Sequence, residues 1–194
     1  MARLGQVRMV VLASGTGTLL QSLINAQEDG QLAGQIVAVG SDVPGCGAIT
    51  RAKNAGLETF ELPLAKGADR EEWDRKLSAK VAEFSPDLVV SAGFMKLLGA
   101  NFLNAFGGRC INTHPALLPS FPGMHGVRDA LAAGVKVSGA TVFMVDDGVD
   151  TGKIIAQRPV EVLPEDDEAQ LHERIKVVER QLLKEVVNDF AKNF

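Results

Sequence analysis

Residues 7–24 read VRMVVLASGTGTLLQSLI, and they decide the fold. Residues 7–13, apolar but for Arg8, form a short run of the kind that a strand buried on both faces of a parallel sheet requires. The run stops at Ser14-Gly15-Thr16-Gly17-Thr18, and helical spacing follows in Leu19, Leu20, Leu23 and Ile24. Gly30 and Gly34 then punctuate the chain before a second β-branched run, IVAVGS at 36–41, which completes a β-α-β unit. Arg3 and Arg8 stand before the apolar stretch, but that stretch is too short and too valine-rich for the core of a secretory leader.

Outward from that unit the alternation continues. A helix is expected over 48–55, a strand over 58–62, a helix over about 69–84 carrying Trp73, Leu77 and Val81, and a buried strand over 87–92. A short helix over 99–106 leads to a fifth strand over 109–114, stopped by Pro115. Pro119 and Pro122 follow closely, so the stretch to Met124 must be a loop. Helical pattern resumes over 125–133. Two strand-like segments, 139–145 and 153–162, flank the acidic loop Asp146-Asp147-Gly148-Val149-Asp150-Thr151-Gly152, and their closeness predicts an antiparallel pair. From Asp167 the spacing of Leu171, Ile175, Val178, Leu182, Val186 and Phe190 predicts a helix with one apolar face. The expected architecture is a single α/β domain over 1–194, with a mostly parallel twisted sheet, helices on both faces and an antiparallel pair near the carboxyl-terminal end.

Composition bounds the function. The 194 residues are 46% hydrophobic and 23% charged, as in a globular protein, and no apolar run approaches the roughly 18 residues that span a bilayer. Twenty Lys and Arg stand against 24 Asp and Glu, a net charge of −4 without any basic run, which disfavours nucleic acid and favours a small-molecule ligand. Cys46 and Cys110 match neither a metal spacing nor a redox pair, so a reducing, cytoplasmic setting is expected.

Ligands of open α/β sheets sit at the carboxyl ends of strands. The loop after the first strand offers backbone N–H groups at the positive end of a helix dipole, an anion site if it is more than a turn. Leu20 stands where a dinucleotide fingerprint needs a third glycine, and Asp42 matches that motif's ribose-binding acid only weakly, so a mononucleotide or ribose phosphate is the expected anion. Asn112 and His114 alternate along one strand and therefore share a face, with Pro115 holding His114 extended. An amide beside an imidazole on a rigid edge suits a reaction that builds negative charge on a carbonyl oxygen. Asp150 lies in a loop that could bring its carboxylate to the sheet edge, and a carboxylate beside His114 would favour the charged form of the ring, as a general acid needs. Asp146 and Asp147 fit a solvated turn as well as a binding role.

These residues resemble the phosphoribosylglycinamide formyltransferases. The likeness runs through SGTGTLLQSLI, SDVPGCG, PDLVVSAGFMKLL, INTHPALLPSFPGMHGVRDAL and the 146–152 loop, in family order. It implies transfer of a formyl group from 10-formyltetrahydrofolate, a co-substrate, to the amine of glycinamide ribonucleotide in purine synthesis, without a metal. It implies Asn112, His114 and Asp150 as catalytic residues. Gly17, Thr18 and Leu19 would cradle the phosphate. Lys176, Val177, Val178 and Glu179 would also contact the ribonucleotide, with Glu179 able to hold the amine. Folate would meet Arg70, Met95, Lys96, Leu97, Leu98, Asn112, Asp146, Asp147, Gly148, Val149 and Asp150. On apolarity alone Met95 to Leu98 read as core, and Arg70 as a solvated helix residue.

The chain departs from the family where Thr18-Leu19 replaces Ser-Asn, Lys96 an arginine, Val127 a second histidine and Phe143 a polar residue. His125 fits either loop architecture or substrate contact, and His172, on the exposed-leaning start of the last helix, is expected to be inert. Alternatives are a formyltetrahydrofolate hydrolase, which would add an amino-terminal domain, and a methionyl-tRNA formyltransferase, which would add a carboxyl-terminal one. A non-catalytic nucleotide-binding module would leave Asn112, His114 and Asp150 unexplained. The sequence leaves open a monomer or a homodimer.

Overall fold

The computed structural model describes residues 6–193, so of the basic residues weighed against a leader Arg3 lies outside the described residues, whereas Arg8 is part of the first strand. The elements run β1 Val7–Leu12, α1 Thr18–Glu28, β2 Gly34–Ser41, α2 Gly47–Asn54, β3 Thr59–Glu61, α3 Arg70–Ala82 and β4 Leu88–Ser91. They continue with α4 Ala100–Phe106, β5 Cys110–His114, α5 Gly126–Ala132, β6 Val137–Met144, β7 Ile154–Glu161 and α6 Glu168–Lys192. Each expected boundary lies within two residues of an observed one.

The strands form one seven-stranded sheet in the order β3-β2-β1-β4-β5-β6-β7. The first five are parallel, and β6 runs antiparallel to both β5 and β7. Strand order reverses between β1 and β4, which opens a crevice at their carboxyl ends. Outermost β7 exposes Arg158, Pro159 and Glu161.

Alternation along the strands sorts side chains into two cores. Met9, Val11, Ile36, Val90 and Ile111 meet α1, α2, α5 and α6 on one face. Val10, Leu12, Val89 and Cys110 meet Trp73 and Leu77 of α3 and Phe102 and Phe106 of α4 on the other. Burial pushes the Cys110 thiol up to about 12, so it is an inert core group.

α6 begins with a reciprocal cap in which Asp167 accepts from the Gln170 N–H and Gln170 bonds back. Its buried stripe holds Leu171, Ile175, Leu182, Leu183, Val186 and Val187, each contributing roughly 1.5–3 kcal/mol. The stripe is rotated from the expected one: Val178 and Phe190 are half-buried, and the carboxylate of Glu179 lies in the buried row. No helix among the described residues is long and apolar enough to cross a membrane.

Candidate active site

The loop after β1 is held on both sides. The Ser14 N–H donates to the Gly93 carbonyl at 3.0 Å, and the Ala48 N–H to the Gly15 carbonyl at 3.0 Å. Arg51 of α2 reaches back, Nε to the Thr16 carbonyl at 2.8 Å and Nη1 to Gln21 Oε1 at 3.1 Å. Gly17, at φ 74°, precedes α1, and no side chain caps the helix. Its first-turn N–H groups therefore remain available, as an anion cradle requires. The Leu19 side chain is buried in the core, so that residue can offer a ligand only its backbone.

β5 delivers Asn112 and His114 to one side of its carboxyl end. His114 is 4% exposed, with Nδ1 3.3 Å from Asp150 Oδ2 and Nε2 2.7 Å from the Phe121 carbonyl. Both ring nitrogens thus face oxygens, and the ring is held from two sides. The Asn112 carboxamide has no hydrogen-bond partner among the described residues. Asp150, at φ 56°, also accepts the Gly123 N–H at 2.7 Å, so the acidic loop and the proline loop meet at this carboxylate.

The proline loop is anchored at its other end. Thr141 Oγ1 donates to the Ala116 carbonyl at 2.7 Å and accepts the Leu118 N–H at 3.1 Å, and Gln157 Nε2 donates to the Leu118 carbonyl at 2.8 Å. Gly126 provides the space beneath: a Cβ there would stand 2.8 Å from His114 Nε2 and 3.0 Å from the Phe121 carbonyl.

Of the expected folate segment, Leu98 is buried, whereas Met95 and Leu97 are 65% and 56% exposed. This corrects their reading as core. β4 ends at Ser91 and Gly93 turns the chain at φ 74°, carrying the segment past the sheet into the crevice mouth. Arg70 is exposed, as expected of a solvated helix residue, and it donates from Nη2 to the Leu97 carbonyl at 2.9 Å and lies 6.0 Å above Trp73. Asp146 organises a turn, accepting from the Gly148 N–H at 3.1 Å and Thr151 Oγ1 at 2.8 Å. Asp147 and Val149 are exposed.

On α6, Glu179 lies near Thr113 and His114. Burial pushes its carboxyl up, against the pull of the Thr113 hydroxyl and of His114, Arg180 and Lys176. Lys176 pairs with Glu173 at 2.6 Å, Val177 is exposed and Val178 half-buried, whereas the Glu179 side chain interacts with His114. Val127 and Phe143 are core residues. His125 stands at the N-cap of α5 without a capping bond from its side chain. His172 is half-buried rather than exposed, and burial, then Lys176, lowers its pKa. Among the described residues no group of three or more His, Cys, Asp or Glu could hold a metal ion.

Sequence reasoning missed Phe121, Gly126, Thr141 and Gln157. The Phe121 contribution is a carbonyl and leaves no side-chain signal. A glycine directly after His125, below a proline loop, was the available hint.

A family model described as formyl transferase matches residues 7–187. A phosphoribosylglycinamide formyltransferase of Mycobacterium tuberculosis is 58% identical over 176 residues, 91% of this chain and 81% of the relative. One of Escherichia coli is 36% identical over 185 residues, covering 95% and 87%. The crystal structure of glycinamide ribonucleotide transformylase 1 from Symbiobacterium toebii superposes with a TM-score of 0.94 at 38% identity, covering 97% of this chain and 89% of that one.

Proposed function

The chain belongs to the formyl transferase family, and from that premise we propose that it transfers the formyl group of 10-formyltetrahydrofolate to the amine of N1-(5-phospho-D-ribosyl)glycinamide, within purine biosynthesis. The observation that carries this reading is the unpartnered Asn112 amide two residues before a His114 clasped by Asp150. Such a pair supplies a neutral donor and a charged one to the same oxygen.

The amine nitrogen attacks the formyl carbon, forming a C–N bond and placing negative charge on the formyl oxygen. Asn112 donates a hydrogen bond to that oxygen. His114 supplies the opposing charge, and its Nε2 proton shifts from the Phe121 carbonyl to the oxyanion, the stronger acceptor. Collapse breaks the bond from carbon to N10 of the folate. The attacking nitrogen loses a proton and N10 gains one, leaving tetrahydrofolate and the N-formyl product. Asp150 holds the ring. Gly17, Thr18 and Leu19 hold the phosphate through backbone N–H groups, with Lys176, Val177 and Val178 as further contacts to the ribonucleotide. Glu179 receives the substrate amine. Folate lies against Arg70, Met95, Lys96, Leu97 and Leu98, with the 146–150 loop across it. The 1–194 chain acts as one catalytic domain on small molecules, in the cytoplasm.

The test mixes the protein with 10-formyltetrahydrofolate and follows deformylation with and without glycinamide ribonucleotide. Turnover that needs the ribonucleotide is expected. Equal turnover without it would assign the chain to formyl-folate hydrolysis, and no turnover in either case would leave a binding module.

Gly126→Ala is expected to lower kcat by about 10²-fold, because the added methyl must displace His114 or Phe121, and small misplacements at a reacting centre cost that much. KM values should change far less. A kcat near wild type would show that the His114–Phe121 contact does not matter to turnover.

A further inference from the structure

Asp42 is a charged group that neither the transfer chemistry nor the core explains. It follows the last residue of β2, and its side chain is 2% exposed. Oδ1 accepts from Ser14 Oγ at 2.5 Å, and Oδ2 lies 3.5 Å from Lys96 Nζ. Because the Ser14 hydroxyl proton is committed to Asp42, the oxygen's lone pairs face the other way, and Oγ accepts the Met95 N–H at 2.8 Å. The Ser14 N–H closes the cluster on the Gly93 carbonyl. A buried carboxylate opposite a lysine that is one-third exposed is a poor source of stability, since desolvation offsets much of the attraction. Its effect is geometric: it fixes Ser14 at the start of the phosphate loop and residues 93–96 at the start of the folate segment.

We propose that Asp42 is a positioning residue which, through Ser14 and Lys96, couples the ribonucleotide and folate subsites, so that filling one orders the other. The inference rests on the functional reading above. Polarised chains of hydrogen bonds strengthen one another, and an anion that settles the 14–19 loop also settles Ser14, on which Met95 hangs. Coupling of binding free energies is reciprocal, so either ligand must improve the other by the same factor. Lys96 serves as the counter-charge across the crevice, a role that its replacement of the usual arginine preserves.

The experiment measures tetrahydrofolate affinity by calorimetry with and without saturating glycinamide ribonucleotide, a pair that cannot react. In the unsubstituted protein the ribonucleotide is expected to tighten tetrahydrofolate about tenfold, within the usual range of such coupling. Ser14→Ala should bring that ratio near one. Asp42→Asn keeps an acceptor for Ser14 but loses the charge facing Lys96, and should leave about threefold. A merely structural role would lower the melting temperature and weaken both ligands while leaving the ratio intact, and that result overturns the proposal. So does a ratio of one in the unsubstituted protein. Formyl transfer assayed on the same sample separates the two readings: transfer with no coupling refutes only the role of Asp42, whereas no ribonucleotide-dependent transfer refutes the function on which it rests.

Discussion

His114→Ala lowers turnover by about 10²–10³-fold, the range for removing one donor to an oxyanion, while glycinamide ribonucleotide binds with nearly unchanged affinity. The binding half follows from the architecture. The phosphate loop is braced by α2 and the 93–95 segment, and His114 takes part in neither brace. Asp150→Asn is the sharper variant. Asp150 sits at φ 56°, in the left-handed region that asparagine tolerates, so the backbone is kept. The amide oxygen can still accept the Gly123 N–H, and the charge opposite His114 Nδ1 is what disappears. A loss of about 10²-fold in kcat, with the melting temperature held, isolates that charge. Asp150→Ala would add backbone strain and confuse the two effects. Steady-state kinetics beside ribonucleotide calorimetry checks both variants, and near-wild-type turnover in either would remove that residue from the chemistry.

The second large effect is expected at Gly17. Its φ of 74° costs an alanine roughly 1–2 kcal/mol, and the new Cβ would lie 2.6 Å from Ala48 Cα, a backbone atom of α2 that cannot swing aside. Gly17→Ala should lower stability by about 2 kcal/mol and weaken ribonucleotide binding at least tenfold, since the shifted N–H groups are those proposed to hold the phosphate. Gly15 provides the contrast, because a Cβ there meets nothing within 4 Å and its φ is ordinary. Gly15→Ala should melt within about 1 °C of the parent, whereas Gly17→Ala melts several degrees lower. Equal melting curves for the two would overturn the steric account.

Much of this site could be read from residues because strand geometry is strict. Asn112 and His114 had to share a face, and a glycine-hydroxyl turn between strand and helix had to leave N–H groups exposed. What stayed hidden was carried by backbone or by distance. Nothing in the side chain of Phe121 announces that its carbonyl meets an imidazole. Met95 and Leu97 have the composition of a core whether the chain passes under a helix or along a crevice, and only the turn at Gly93 separates the two. Glu179 shows a third limit. With 3.6 residues per turn, positions 178 and 179 flank the same stripe, and apolarity favoured Val178. The structure buries the carboxylate instead, a preference that packing alone would not make. The Ser14–Asp42–Lys96 cluster joins residues far apart in sequence, so no local pattern announces it.

The outermost strand bears on how the protein survives its own concentration. A sheet edge presents free donors and acceptors to any other extended chain, and an apolar edge invites runaway strand addition. On β7, Pro159 contributes no N–H for an incoming strand to use, while Arg158 and Glu161 are exposed beside it. An intruding chain would have to strip water from both charges for an incomplete ladder. At residues 158–161 the rim of the sheet is therefore a barrier against fibre-like association during synthesis and refolding, when many copies expose unpaired strands together.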